Sequence, residues 1–233
     1  MSSILFMGDV HGKVKQYRRI IRALPEGSKS LQLGDLGLGF KGVFLYPGGC
    51  LARGDHQFIR GNHDNPTVCR RVKGYAGDYG YWPQERLFYL GGAWSIDQQW
   101  RTPLVSWWPD EELSLEELNK AHQLYVESKP LIVATHEAPT VAAIRVLQMA
   151  QGLYTHAPLM GDDQDRPKGE EYQYYKAKLG CVNTRTSQAL QQMFEIWQPK
   201  YWLYGHYHLT CSFVARGTEF QCLGELATRE ITL

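Results

Sequence analysis

Apolar and polar positions divide the chain into short closed runs and amphipathic stretches. Ser3 to Met7 is an apolar run ended by Gly8 and reads as a buried strand. Lys13 to Leu24 sets Val14, Tyr17, Ile21 and Leu24 on one helical stripe, with Pro25 beyond its end. Ser30 to Leu33 is a second brief strand closed by Gly34-Asp35. Strand, loop, helix, strand is the opening of an α/β unit with a parallel pair. Phe58 to Arg60 and Leu87 to Leu90 read as further strands. A helix begins at Ser114, with capping-box spacing to Glu117, and runs toward Ser128 before Pro130. Leu131 to Thr135 is nearly all apolar, as a strand covered on both faces should be.

Thr140 to Gln151 reads as a helix with Gly152 as its C-cap. Asn183 to Gln198 is another, with the stripe Ala189, Leu190, Met193, Phe194 and Trp197. Tyr201 to Tyr204 is a strand, and Cys211 to Ala215 and Glu219 to Leu223 are two more, joined at Arg216-Gly217. The polar stretch Gly161 to Glu171 reads as a surface loop; its acids lack the spacing of an EF-hand.

Composition narrows the function classes. At 233 residues and 43% hydrophobic, the chain supplies one ordinary core. Twenty-five basic against 24 acidic side chains exclude a globally basic nucleic-acid binder, though not a local patch. No apolar run reaches the roughly 18 residues of a membrane helix, and Met1 to Phe6 has no basic region that would make it a secretory signal. Five cysteines without a CxxC pair argue against a disulfide framework or thiolate zinc. The expectation is a soluble cytoplasmic protein.

The chemistry is concentrated in five segments that combine Asp, His or Asn, mostly with glycine: Gly8-Asp9-Val10-His11-Gly12, Gly34-Asp35-Leu36-Gly37, Gly61-Asn62-His63-Asp64, Thr135-His136-Glu137 and Gly205-His206-Tyr207-His208. Four closely follow an expected strand, where loops of α/β folds converge on one rim. Asp9 and His11, like His206 and His208, stand two apart, so an extended backbone would point each pair to one side. Carboxylate, imidazole and amide oxygen together suit Mn, Fe or Zn. A carboxylate can bridge two metals about 3.5–4 Å apart, and such a pair activates water for in-line displacement at phosphorus.

These motifs, in this order, resemble the calcineurin-like metallophosphoesterase family. Asp9 to Asp35 spans 26 residues and Asp35 to Asn62 spans 27, and the motifs run from residue 8 to residue 208. The resemblance implies one metal on Asp9, His11 and His208, and a second on Asn62, His136 and His206, with Asp35 bridging. Mn is the first choice, and Fe, Zn and Ni share these ligands in the family. A hydroxide between the metals would attack phosphorus, while His63 would protonate the leaving oxygen or steady the phosphoryl group. A structural hydrogen bond is the alternative role for His63. The implied fold is α/β, a two-sheet β-sandwich flanked by helices in four layers. The chain is then one domain, residues 1–233, with 138–182 as an insertion forming part of the substrate wall.

The sequence departs from the protein-phosphatase branch, which carries GDxxDRG at the second motif. Leu38 and Gly39 stand where that branch has Asp and the phosphate-gripping Arg. Arg53 and Arg60 are the substrate-binding candidates to replace that charge. The reading therefore leans to a phosphodiesterase acting on a nucleotide or nucleic-acid end, against two alternatives: a phosphomonoesterase or protein phosphatase, and a non-catalytic binding module on the same fold. No obligate protein partner is expected. His56, His122 and His156 match no motif, and Cys69 and Cys181 read as inert thiols. Nine aromatic residues from Tyr79 to Trp108 are either core packing or a base-stacking platform. Arg70-Arg71-Val72-Lys73 is either a phosphate-backbone contact or a solvated face.

Overall fold

In the computed structural model, which describes residues 3–41, 43, 54–155 and 182–233, β1 (Ser3–Met7) and β2 (Lys29–Gln32) lie parallel, with α1 (Val14–Ala23) between them in sequence. β3 (Asp55–Phe58) continues the sheet in parallel, and β10 (Thr228–Thr232) closes its other side antiparallel to β1. The second sheet has six strands in the order β4-β5-β6-β7-β9-β8. Its parallel centre is β5 (Leu87–Leu90), β6 (Ile132–Thr135), β7 (Tyr201–Tyr204) and β9 (Thr218–Cys222). The antiparallel edges are β4 (Tyr79–Trp82) and β8 (Cys211–Ala215).

The alternation of side chains explains why these strands are apolar at every position. Leu87 and Tyr89 of β5, Ile132 and Ala134 of β6, and Leu203 of β7 meet Ile4, Phe6 and Leu31 of the first sheet. Their neighbours Phe88, Val133, Trp202 and Tyr204 face the opposite way, onto helices α3 (Leu115–Ser128), α4 (Thr140–Thr155) and α5 (Arg185–Ile196). On the far side of the first sheet, Met7 and Phe58 pack on Val14, Tyr17 and Ile21 of α1, and on Cys69 of the short α2 (Pro66–Cys69). Helix, sheet, sheet and helix thus make four layers and bury a strand on both faces. Each buried large apolar side chain contributes about 1.5–3 kcal/mol, so the double coverage is what holds the sandwich shut.

Local signals explain several boundaries. Ser114 Oγ accepts from the Glu117 N–H while the Glu117 carboxylate accepts from the Ser114 N–H, the capping box that starts α3. β3 lies three residues before the expected Phe58–Arg60, because Lys29 to Gln32 pair with Asp55 to Phe58. Its polar sequence DHQF hid it. α4 passes through Gly152 to Thr155, so that glycine is not the C-cap. β4, β10 and α2 carry no clear periodicity and were not foreseen. The expected Gly161–Glu171 loop and much of the 138–182 stretch lie outside the described residues, as do Arg53, His156 and Cys181. Among the described residues no helix is long and apolar enough to cross a membrane.

Candidate metal centre

The parallel strands of both sheets deliver the motif residues to one rim. Asp9 follows β1, Asp35 follows β2, Asn62 follows β3, His136 follows β6 directly, and His206 follows β7. Asp9, Asp35, Asn62 and His136 are buried, whereas His208 lies at the surface. The loops are tight. His11, Asp35, His206 and His208 all adopt left-handed backbone, with φ between 44° and 69°. An extended pair pointing one way is therefore not how residues two apart meet: His206 and His208 sit on a turn and face different partners. Backbone held in this region costs about 1–3 kcal/mol per residue and persists where a site demands it. Gly61 and Gly205 are needed for space. A Cβ at Gly61 would stand 2.1 Å from Asp35 Oδ1, and one at Gly205 2.3 Å from Asp9 Oδ1.

Two groups of donors result. In the first, Asp9 Oδ2 lies 3.5 Å from His208 Nε2 and 3.8 Å from His11 Nε2, and Asp35 Oδ2 lies 3.7 Å from His11 Nε2. The two Nε2 atoms approach to 2.9 Å. Asp9 Oδ2 and Asp35 Oδ2 are buried with no hydrogen-bond partner. Donors bound to one ion at about 2.0–2.2 Å stand roughly 3 Å or more apart, so this set fits a single divalent metal. Asp9, His11, Asp35 and His208 form a candidate metal site.

The second group centres on Asn62 Oδ1, which lies 3.1 Å from His136 Nε2 and 3.0 Å from His206 Nδ1. His136 Nε2 is 3.3 Å from Asp35 Oδ1. His136 Nδ1 donates to the Leu33 carbonyl at 2.7 Å, so in the neutral ring Nε2 is a bare lone pair facing an amide oxygen and a carboxylate. Acceptors facing acceptors call for a cation. Burial opposes charge on His136, yet Asp35 and Asp9 outweigh it and raise its pKa to about 9. Burial likewise resists ionisation of Asp35, but His136, His63 and His11 hold it well below the usual carboxylate range. The Asp35 carboxylate lies between the groups, Oδ2 toward the first and Oδ1 toward the second.

His63 stands over this centre, its ring 5.0 Å from that of His11. Arg101 Nη2 is 2.6 Å from His63 Nε2 and 2.8 Å from Asp97 Oδ2. Burial and the Arg101 charge lower the His63 pKa against the pull of Asp35. Arg60 is elsewhere: its guanidinium is buried on Asp78 and the Glu111 carbonyl. Arg70 also pairs with Asp78 and with Asp110, while Arg71 and Lys73 are solvated. Of the aromatic stretch, Phe88, Tyr89 and Trp108 are core, whereas Trp100 next to Arg101 is 77% exposed.

Four contributors escaped sequence reasoning. Arg101 lies in no motif, so nothing in the chain marked it. Asp64 was visible as the last residue of GNHD but without a role. Its carboxylate accepts from four backbone N–H groups, those of Leu36, Gly37, Leu38 and Gly61, and so ties the second motif loop to the third. Burial and neighbouring Asp35 nevertheless push its pKa up to about 6. Ser95 and Glu111 lie behind Asn62 and are equally unmarked.

Comparison with known proteins agrees with the fold. The crystal structure of the phosphopantetheinyl hydrolase of Mycobacterium tuberculosis is similar over 99% of this chain and 95% of that one, with TM-score 0.52 and 13% identity, a likeness of fold. Among curated proteins none matches. The calcineurin-like phosphoesterase profile matches residues 2–209. The chain belongs to the calcineurin-like phosphoesterase family and is a metal-dependent phosphoester hydrolase.

Proposed function

We propose that Asp9, His11 and His208 hold one divalent ion, that Asn62, His136 and His206 hold a second, and that Asp35 bridges them in an enzyme that cleaves a phosphodiester of a nucleotide or nucleic-acid end. The observation that carries the two-ion reading is Asp35 itself, with one oxygen toward each donor group and Oδ2 lacking any hydrogen-bond partner. Two ions there, Mn first among Mn, Fe, Zn and Ni, supply an activated water and positive charge for the oxygens of an in-line displacement. The chain is read as one catalytic domain, with 138–182 contributing to the substrate wall. Five cysteines with no CxxC pair fit a reducing, cytoplasmic setting.

In this reading His63 steadies the transferring phosphoryl group by hydrogen bonding or, when charged, protonates the leaving oxygen. Arg101 Nη2 lies 2.6 Å from His63 Nε2 and 3.2 Å from His63 Nδ1, so the guanidinium lies along one edge of the ring and steadies it. Arg101 takes the place of the arginine missing from the second motif and meets a phosphoryl oxygen beside His63. Its charge is shared with Asp97. So little net positive charge outside the ions suits a diester anion better than a monoester dianion. Trp100, exposed and next to Arg101 in the chain, would offer a face for a base.

The test is hydrolysis of bis(p-nitrophenyl) phosphate against p-nitrophenyl phosphate with Mn2+. Faster turnover of the diester is expected; faster turnover of the monoester overturns the diesterase reading and favours the phosphatase. Arg101→Ala is expected to cut kcat by about 10- to 150-fold, the loss of one charge-assisted hydrogen bond. Trp100→Ala is expected to raise KM for nucleotide diesters by roughly 5- to 150-fold, as stacking of about 1–3 kcal/mol per base requires, with kcat unchanged. Steady-state kinetics on both variants separates the two roles, and an Arg101→Ala enzyme with wild-type kcat removes that residue from the reaction.

A further inference from the structure

We propose that Ser95 and Glu111 act as a positioning relay that turns the oxygen, and not the nitrogen, of the Asn62 amide toward the second metal site. The inference rests on the two-ion reading and goes beyond its ligand set. An asparagine side chain has two ends of nearly equal shape, and only the oxygen end can ligate. Something must therefore decide which end faces the ion.

The decision is made behind Asn62. Its Nδ2 donates to Ser95 Oγ at 3.0 Å. Ser95 Oγ donates to Glu111 Oε2 at 2.5 Å, and the Ser95 backbone N–H donates to Glu111 Oε1 at 2.7 Å. A carboxylate only accepts, so the single hydroxyl proton of Ser95 is committed to Glu111. What Ser95 then offers Asn62 is a lone pair, and only the NH2 end of the amide can answer it. Oδ1 is left facing His136 Nε2 and His206 Nδ1. Asn62, Ser95 and Glu111 are all buried, so water does not compete for these bonds. The polarisation runs the useful way, because a carboxylate behind the hydroxyl draws the NH2 back and enriches the ligating oxygen.

The relay is also anchored. Arg60, two residues before Asn62, donates from Nη1 to the Glu111 carbonyl and from Nε to Asp78. The Arg60 carbonyl in turn accepts from the Gly92 N–H at 2.7 Å. The loop that carries the ligand and the segment that carries the relay are joined at both ends. Arg60 thus serves the centre through this joint and not by gripping a phosphate.

The probe is Mn2+, titrated calorimetrically into the metal-free full chain, with electron paramagnetic resonance on the loaded protein. Wild type is expected to take two equivalents and give the spectrum of a spin-coupled pair. Ser95→Ala and Glu111→Gln are expected to keep the first equivalent and to weaken the second by about 10- to 100-fold, the usual effect of losing a ligand's outer partner. Their spectrum at limiting Mn2+ becomes that of isolated ions, and the first equivalent stays as tight as in the wild type even though the lost buried hydrogen bond lowers the melting temperature. Two unweakened equivalents in both variants overturn the relay. Equal loss of both equivalents also overturns it, by reducing Ser95 and Glu111 to general packing. A wild type that binds fewer than two equivalents instead overturns the two-ion reading on which the relay stands.

Discussion

Asp35→Asn is expected to abolish phosphodiester hydrolysis, with turnover down on the order of 10³-fold or more, since the loss of several kcal/mol of charge stabilisation in the transition state converts to that factor. The substitution keeps the shape of the side chain and the acceptor for the His63 N–H, which Asp35 Oδ1 receives at 2.7 Å. It removes the charge and one of the two acceptor oxygens that face the donor groups. Metal binding reports the same loss without turnover. Mn2+ is expected to raise the melting temperature of the wild type by mass action and to leave the variant nearly unmoved. Equal Mn2+ stabilisation of both proteins would show that Asp35 is not the shared ligand, whatever the activity.

Asp64→Ala is expected to destabilise the metal-free fold by about 3–5 kcal/mol. Four N–H donors would lose their acceptor, at about 1–3 kcal/mol each where water does not replace it. That is a large share of a typical folding stability of about 5–15 kcal/mol. Asp64→Asn should fall between alanine and wild type, because the amide keeps one accepting oxygen and turns an NH2 toward the remaining donors. Urea unfolding of the three metal-free proteins checks the order. An alanine variant with the wild-type midpoint would mean that the loops of the second and third motifs hold together without this carboxylate.

These two aspartates mark how far the site was legible. Asp35, Asn62, His136 and the paired residues of the first and last motifs announce themselves, because oxygen and nitrogen donors beside glycines after strands form a rare local pattern. His63 is legible for the same reason. Asp64 stands inside a motif, yet three of its four bonds run to residues 26 to 28 positions earlier, and local pattern carries no information about partners at that distance. Arg101, Ser95 and Glu111 are further removed. A lone arginine, serine or glutamate has the same local signature on a solvated loop as in a buried relay. Arg60 shows the converse: its place next to a motif suggested substrate, whereas its guanidinium is spent on Asp78 and the Glu111 carbonyl.

Secondary structure follows the same division. α1, the capped α3, α5 and the apolar strands β1, β6 and β7 are set by short-range periodicity and capping, which read directly from the chain. β3 is polar at alternate positions and becomes a strand because β2 offers it a parallel edge. β10 exists because β1 has a free side to cover. Helix α4 runs through Gly152 although glycine is a poor helix former.

By itself the sequence determined the α/β class, its apolar strands and capped helices, and the segments that carry the Asp, Asn and His side chains, because each is written in spacing over a few residues. The tertiary structure decided which of those side chains lie together, how the loops bend to bring them there, and which charges stand around them. Those outcomes depend on the packing of two sheets whose C-terminal strand ends meet at one rim. Contacts between residues far apart in the chain are settled only when the whole sandwich closes.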